Sequence, residues 1–240
     1  MANYANIDSF VAGVETRTNN IGISKVGAED INFGEAVVGY KGDKKLYKFR
    51  IDGGKLVMSA DFVASNSIVV MVNGVATTAV VYATSHANTA TLVMNAIKAL
   101  VGVECVLNSS DSTNRTYLIR TKGATAVVSV AVTLGASQAT GTFTGSAASF
   151  LRGIASFQQI EGGKYASKTV VDAVERGGIA VPVAGAISCN MPAYLNTSGV
   201  FATSGTAVSG AMFDSNTTGA GLAELVLNGP VALSAIADSF

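Results

Sequence analysis

Apolar residues in this chain come in short, β-branched runs, and each run is soon stopped by Gly, Asn, Ser or Thr. Ile68 to Val72 and Ala79 to Ala83 are good examples. A membrane-spanning helix needs about 20 consecutive apolar residues, and no run approaches that. From Phe150 onward, turn formers recur about every ten residues, which restricts that region to short strands joined by tight turns, as in a sandwich or barrel. The candidate strands there are Val170 to Val174, Ile179 to Val183, Ala186 to Cys189, Gly199 to Phe201 and Ala223 to Val226. In the second of these, Ile179, Val181 and Val183 face one way, and a Gly-Gly turn leads in. Pro182 has no N–H to give a ladder, so the run is expected at a sheet edge or bulge, close to where a partner chain docks.

The region before about Val57 contains a second alternation. Tyr47, Phe49 and Ile51 alternate with Lys48 and Arg50, the mark of a half-buried strand, with Gly42-Asp43 and Gly53-Gly54 as flanking turn signals. The middle region reads differently. Asn73-Gly74 separates two β-rich runs and predicts a hairpin, because both residue types tolerate positive φ. Then Val93, Ala96, Ile97, Leu100 and Val101 recur at helical spacing. Asn88 or Thr89 can cap the start of that helix, and Gly102 ends it. Tyr117 to Thr121 and Val127 to Leu134 follow as strands, with Val128, Val130, Val132 and Leu134 on one face. The Gly/Ser/Thr-rich stretch GASQATGTFTGSAAS reads as a return linker. The expected fold is therefore mainly β. A β-sandwich or barrel-like domain, residues 1–57 with 149–240, is interrupted by a small inserted α+β (ββαββ) domain, residues 58–148. Insertion costs little where the two ends lie close together.

Reactive chemistry is sparse. The single histidine, His86, cannot build a multi-histidine metal site and reads as a polar residue at a helix start. No GxSxG nucleophile elbow and no phosphate-binding Walker pattern is present. GAGLAE, Gly219 to Glu224, lacks the last glycine of a dinucleotide fingerprint and reads as a turn before a strand. Cys105 and Cys189 sit in no CxxC pattern and are expected as two buried free thiols. The absence of Trp weighs against a carbohydrate cleft. No cofactor or metal is expected, and no enzyme.

Charge is also sparse. Charged residues make up 13% of the chain and the formal net charge is zero, against about 25% charged in an average domain. Such a surface favours association. Lys41, Lys44, Lys45, Lys48, Arg50 and Lys55 form a local basic cluster, offset by Asp43 and Asp52. It reads either as a solvated strand face or as a contact surface for an acidic protein partner; neutrality and few aromatics argue against nucleic acid. After Arg176 the chain has no Lys or Arg but three acids, Asp214, Glu224 and Asp238, an asymmetry that can orient copies or partners. The opening MANYANIDSF lacks the pattern of a secretion signal, so the chain is expected to stay where it is made.

Several stretches resemble one known family. They are Phe33-Gly34 with Ala36-Val37, then Gly153-Ile154-Ala155, Tyr165 ahead of a strand, Arg176-Gly177-Gly178-Ile179 leading into Val181 and Val183, and a Gly-rich turn into Ala223-Glu224-Leu225. In this order they resemble the structural cement (capsid decoration) proteins of tailed bacteriophages. In that family the first two blocks lie close together, whereas here the middle region separates them. The resemblance implies a non-enzymatic virion protein made in the host cytoplasm. It implies binding to the outer capsid face, with the major capsid protein and other copies of the chain as partners, and with neither membrane nor direct nucleic-acid contact. The polar first twenty residues are then an arm that orders on binding. Lys44, Lys45, Lys48, Arg50, Ile179, Val181 and Pro182 are the candidate partner interface. A head-fibre or adhesion module binding a host surface or glycan, and a tail-tube or connector ring protein, are the alternatives.

Overall fold

A computed structural model of the chain describes residues 11–17, 19–133, 139–160 and 163–240. The chain is mainly β, with one α-helix among the described residues. It divides into two compact units: Met1–Arg50 with Ser149–Ala237, and Ile51–Ala148 with Asp238–Phe240.

The first unit is organised by one strand, Val170–Val183, 14 residues long. We call it the spine. The two runs expected as separate strands are halves of this one strand. Val174 pairs with Gly22 on one edge and with Ile154 on the other. Val183 pairs with Gly221 on one edge and with Phe201 on the other. Two closed rings result. The first runs from the spine through Ile21–Gly27, Lys45–Lys48, Ala36–Gly39 and Phe150–Ala155 back to the spine. The second runs through Gly221–Asn228, Thr206–Phe213, Pro192–Leu195 and Phe201–Ala202 back to it. Closure removes the sticky edges of a sheet.

Each ring is packed against buried apolar side chains. Ile31, Val37, Leu46, Tyr165 and Val171 cluster in one core, with Ile23 packed against it. Ile179, Val181, Leu195, Phe201, Phe213 and Leu225 are all buried, and the rings of Phe201 and Phe213 meet edge-on at 6.5 Å. Each fully buried aliphatic side chain contributes about 1.5–3 kcal/mol.

The expected Gly-Gly turn is not a turn. Gly177 and Gly178 lie inside the spine, where the N-terminal segment crosses its edge. Gly177 has φ +123, and a Cβ there would collide with Asn20 Oδ1. A Cβ on Gly178 would stand 2.7 Å from Arg17 Cγ. In that space the Asn20 side-chain amide imitates a strand: its Nδ2 donates to Gly178 O and its Oδ1 accepts from Gly178 N, each at 3.0 Å. Residues 13–16 continue the pairing, with Gly13 N donating to Ala180 O at 2.8 Å and Ala180 N to Val14 O at 2.9 Å. Pro182 follows on the same side of the spine by the two-residue period. The next bond on that side, Ala184 N to Phe201 O at 2.9 Å, comes after it. The proline therefore sits where one edge changes partner and no donor is required. The spine is the most interior strand of the unit, and the expected sheet edge is replaced by this local gap.

The second unit holds two antiparallel sheets and the helix. One sheet orders Gly141–Ser146, Gly53–Met58, Thr116–Thr121 and Val103–Leu107. The other pairs Val128–Thr133, Val75–Ala76 and Val80–Val81 with Ser67–Val72. Asn73 and Gly74 take φ 50 and 81 and close the hairpin as expected. Helix α1, His86–Lys98, buries Ala90, Val93 and Ile97. Its cap is Ser85, whose hydroxyl accepts Asn88 N–H at 3.2 Å, rather than Asn88 or Thr89. Val101 is 102% exposed because the helix ends before it and the helical period no longer applies.

Two turn or linker expectations fail for one reason. Gly53-Gly54 is strand, and so is Gly141–Ser146 from the presumed linker; Leu134–Gln138 lies outside the described residues. The small residues are there because neighbours approach closely. A Cβ on Gly53 would stand 2.5 Å from Ala148 Cβ, and one on Gly141 2.9 Å from Val130 Cγ2. The expected boundary at Met58 falls at the end of the strand Gly53–Met58. Two of the chain passages into this unit are tied together: Gly53 pairs with Ser146, and the buried Asp52 accepts Ala148 N–H at 2.6 Å.

Two outcomes follow from this geometry. Gly177→Ala destabilises the chain by about 1–3 kcal/mol in urea unfolding, whereas Gly185→Ala, with open space around it, stays within about 0.5 kcal/mol. We further propose that residues 51–148 fold by themselves: expressed alone, they give a single cooperative melt, and a non-cooperative profile refutes this.

Candidate partner interface

The hairpin between Ala36–Gly39 and Lys45–Lys48 carries most of the basic cluster, and it is internally braced. Asp43 N donates to Tyr40 O at 3.0 Å. The Asp43 carboxylate accepts Lys45 N–H at 3.0 Å and Tyr47 O–H at 3.0 Å. Burial, then this carboxylate, push the Tyr47 hydroxyl up to about 12. The rings of Tyr40 and Tyr47 pack edge-on at 5.0 Å. The lysines are thus mounted on a fixed turn.

The cluster divides by what each cation already touches. Lys48 pairs with Glu35 at 3.2 Å and Arg50 forks onto Glu29. Lys55 belongs to the second unit. Lys41, Lys44 and Lys45 are exposed and make no ion pair among the described residues. Ile179 and Val181 are fully buried. They are packed among other buried apolar side chains and present no surface. Pro182 is half-buried, against Gly34.

Beside the hairpin lies a cleft of about 310 Å³. Lys25, Tyr40, Lys41, Asp43, Phe150 and Arg152 line it. Two of its three cations were not singled out from the sequence, because strand pairing brings them in from afar: Val26 pairs with Lys45 and Phe150 with Gly39. Lys25 lies on the same strand face as Ile23, which packs against the core, so strand alternation alone does not mark it as a surface cation. A Cβ on Gly39 would be 3.0 Å from Arg152 Cγ, so that glycine makes room for the arginine. Arg152 pairs with Glu175 at 3.2 Å, and its buried Nε has no hydrogen-bond partner.

Two of the three acids expected to orient partners, Asp214 and Glu224, have another task. Glu224 accepts Thr16 O–H at 2.6 Å and pairs with Arg17, which also pairs with Asp214. Both acids fasten the N-terminal segment to the second ring; the start of the expected arm, residues 1–10, lies outside the described residues.

Groups with catalytic potential are structurally engaged. His86 Nδ1 accepts Phe62 N–H and its Nε2 faces Thr113 O, each at 2.9 Å, so the ring proton sits on Nε2. Burial pushes the Cys105 thiol up to about 12. Cys189 is also free but only partly buried, unlike the expectation. Gly221 opens a strand, as read from GAGLAE. Among the described residues no cluster could hold a metal ion, and no helix is long and apolar enough to cross a membrane.

The Glu29–Arg50 pair yields a pH prediction. Burial alone would raise the Glu29 carboxyl, but hydrogen bonds from Arg50 and from Lys48 N–H outweigh it and hold it below its ordinary 4.5. A lowered carboxyl stabilises the fold above its unfolded value, and that stability is lost as pH falls through the folded value. Arg50→Met therefore lowers the melting temperature at pH 7, and the gap from the unsubstituted chain narrows toward pH 3. Thermal melts across that range check this; a constant gap refutes it.

A family model described as structural cement protein (E217 gp24/Pam3 gp6) matches residues 105–228 of the chain, just over half of it. The matched span starts in the second unit and runs through the spine to the end of Gly221–Asn228. It includes the Gly153, Tyr165, Arg176 and Ala223 blocks, while Phe33 to Val37 lies outside it. No curated protein matches the chain.

Proposed function

The chain belongs to the phage structural cement protein family, a capsid-associated structural role, and on that premise we propose that it binds the outer face of the assembled shell and bridges neighbouring major capsid proteins. The family match carries this reading. Two closed rings fit such a part: the spine has neighbours on both edges, so contact is made through side chains. The uncommitted lysines of the hairpin supply one such surface. Repeated copies on a symmetric lattice gain avidity, so each contact can be weak. A protein that binds the assembled shell and not free subunits stabilises the shell by mass action. No catalytic step is part of this role.

Co-sedimentation tests the proposal. The purified protein pellets with expanded capsids that lack it, saturates at a fixed ratio and raises the temperature at which they break open. It stays in the supernatant alone or with free capsid subunits. Absence of binding refutes the proposal, and spontaneous rings or tubes of the protein alone would favour a tail-tube role instead.

A further inference from the structure

We infer that the cleft of Lys25, Lys41 and Arg152 is a receptor for an acidic, extended segment of the capsid partner, whose carboxylate enters beside Tyr40. This rests on the capsid-binding reading and adds to it a site and a chemistry.

The charges point that way. Three cations converge on the cleft. The nearby acids are already engaged: Asp43 by Lys45 N–H and Tyr47 O–H, and Glu175 by Arg152. Lys25 and Lys41 have no ion pair among the described residues, while Lys48, Arg50, Lys122 and Lys164 each have one. In a chain with no net charge, this is a local positive excess. Arg152 is ion-paired with Glu175, but the pair is not fully hydrogen-bonded: Arg152 Nε and Glu175 Oε1 are both buried without a hydrogen-bond partner. Buried polar atoms normally have one, and a planar guanidinium matches a carboxylate.

The shape points to a segment rather than a folded element. A volume of about 310 Å³ is at the small end of ligand pockets and suits one or two side chains. Tyr40 and Phe150 give it apolar walls, which suit the methylene groups of a glutamate. The floor is pre-formed, because the Tyr40–Tyr47 pair and Asp43 fix the turn that carries Lys41. A pre-formed site avoids the ordering cost of binding.

The test uses the full chain and two probes. A fluorescein-labelled hexaglutamate peptide is titrated by anisotropy, and capsid co-sedimentation is run alongside. The peptide binds at about 50 mM salt and weakens about tenfold by 300 mM, as exposed charge pairs are screened. Lys41→Glu, on an exposed turn, abolishes peptide binding and weakens capsid binding about tenfold or more; Lys25→Gln weakens both less. Lys168→Glu, also exposed in the first unit, changes neither. Unchanged melting temperatures show that the variants fold. Capsid binding by the unsubstituted chain that Lys41→Glu leaves intact overturns the cleft while sparing the cement role. No capsid binding by the unsubstituted chain overturns the role, and the peptide titration then judges the cleft alone. A single-stranded oligonucleotide that binds more tightly than the peptide overturns the acidic-segment assignment.

Discussion

Every residue of a strand except proline brings one N–H and one C=O that need partners, and a strand of 14 residues inside a protein must find them on both edges. In the first unit this requirement organises everything else. Strands Ile21–Gly27 and Phe150–Ala155 serve the first half of Val170–Val183, and Gly221–Asn228 with Phe201–Ala202 serve the second. One stretch of edge, around residues 177–180, is reached by no ring strand on that side. The N-terminal segment fills it, and two glycines leave the space to do so. Asp214 and Glu224 then fasten the segment through Arg17 and Thr16. The closure of both rings and the course of the chain's first described residues are thus one problem with one solution.

Two of the chain's passages into the second unit obey the same logic of close approach. Gly53-Gly54 opposite Gly145-Ser146 makes a narrow antiparallel stem. Asp52 closes its base by accepting Ala148 N–H and by offering its carbonyl to Thr121 N–H at 2.7 Å. Ends held side by side cost the host domain little loop entropy. This explains how a unit with its own apolar core, centred on Leu56, Ile68, Val93 and Ile119, can interrupt a closed β structure.

Much of this was legible in the sequence, and the failures share a cause. Local periodicity revealed the Asn73-Gly74 hairpin, the helix and the inward face of Ile179, Val181 and Val183, because each depends on residues near in sequence. Gly53, Gly54, Gly141, Gly177 and Gly178 were read as turns or linker. A glycine needed for a neighbour's approach looks the same in sequence as one needed for a turn. The spine's interior place was hidden likewise: Pro182 suggests an edge, and only the pairing of residues 13–16 and Phe201 shows an interior gap that serves equally well. The basic cluster was visible, but its division into committed and uncommitted cations depends on Glu29 and Glu35, which fold back onto Arg50 and Lys48.

That division bears on how a sparsely charged protein can bind selectively. With both edges of the spine occupied, the first unit cannot recruit a partner there by adding a strand, the usual route for β proteins. Its ring cores are internal, so the apolar residues first suspected of docking, Ile179 and Val181, are spent on stability. What remains for recognition is the set of side chains that the fold leaves electrostatically unanswered, and three of these, Lys41, Lys44 and Lys45, sit on one hairpin. Low total charge sharpens the effect. Few other cations compete for an acidic partner, so a handful of lysines on a rigid turn can fix orientation and register even where each contact is weak.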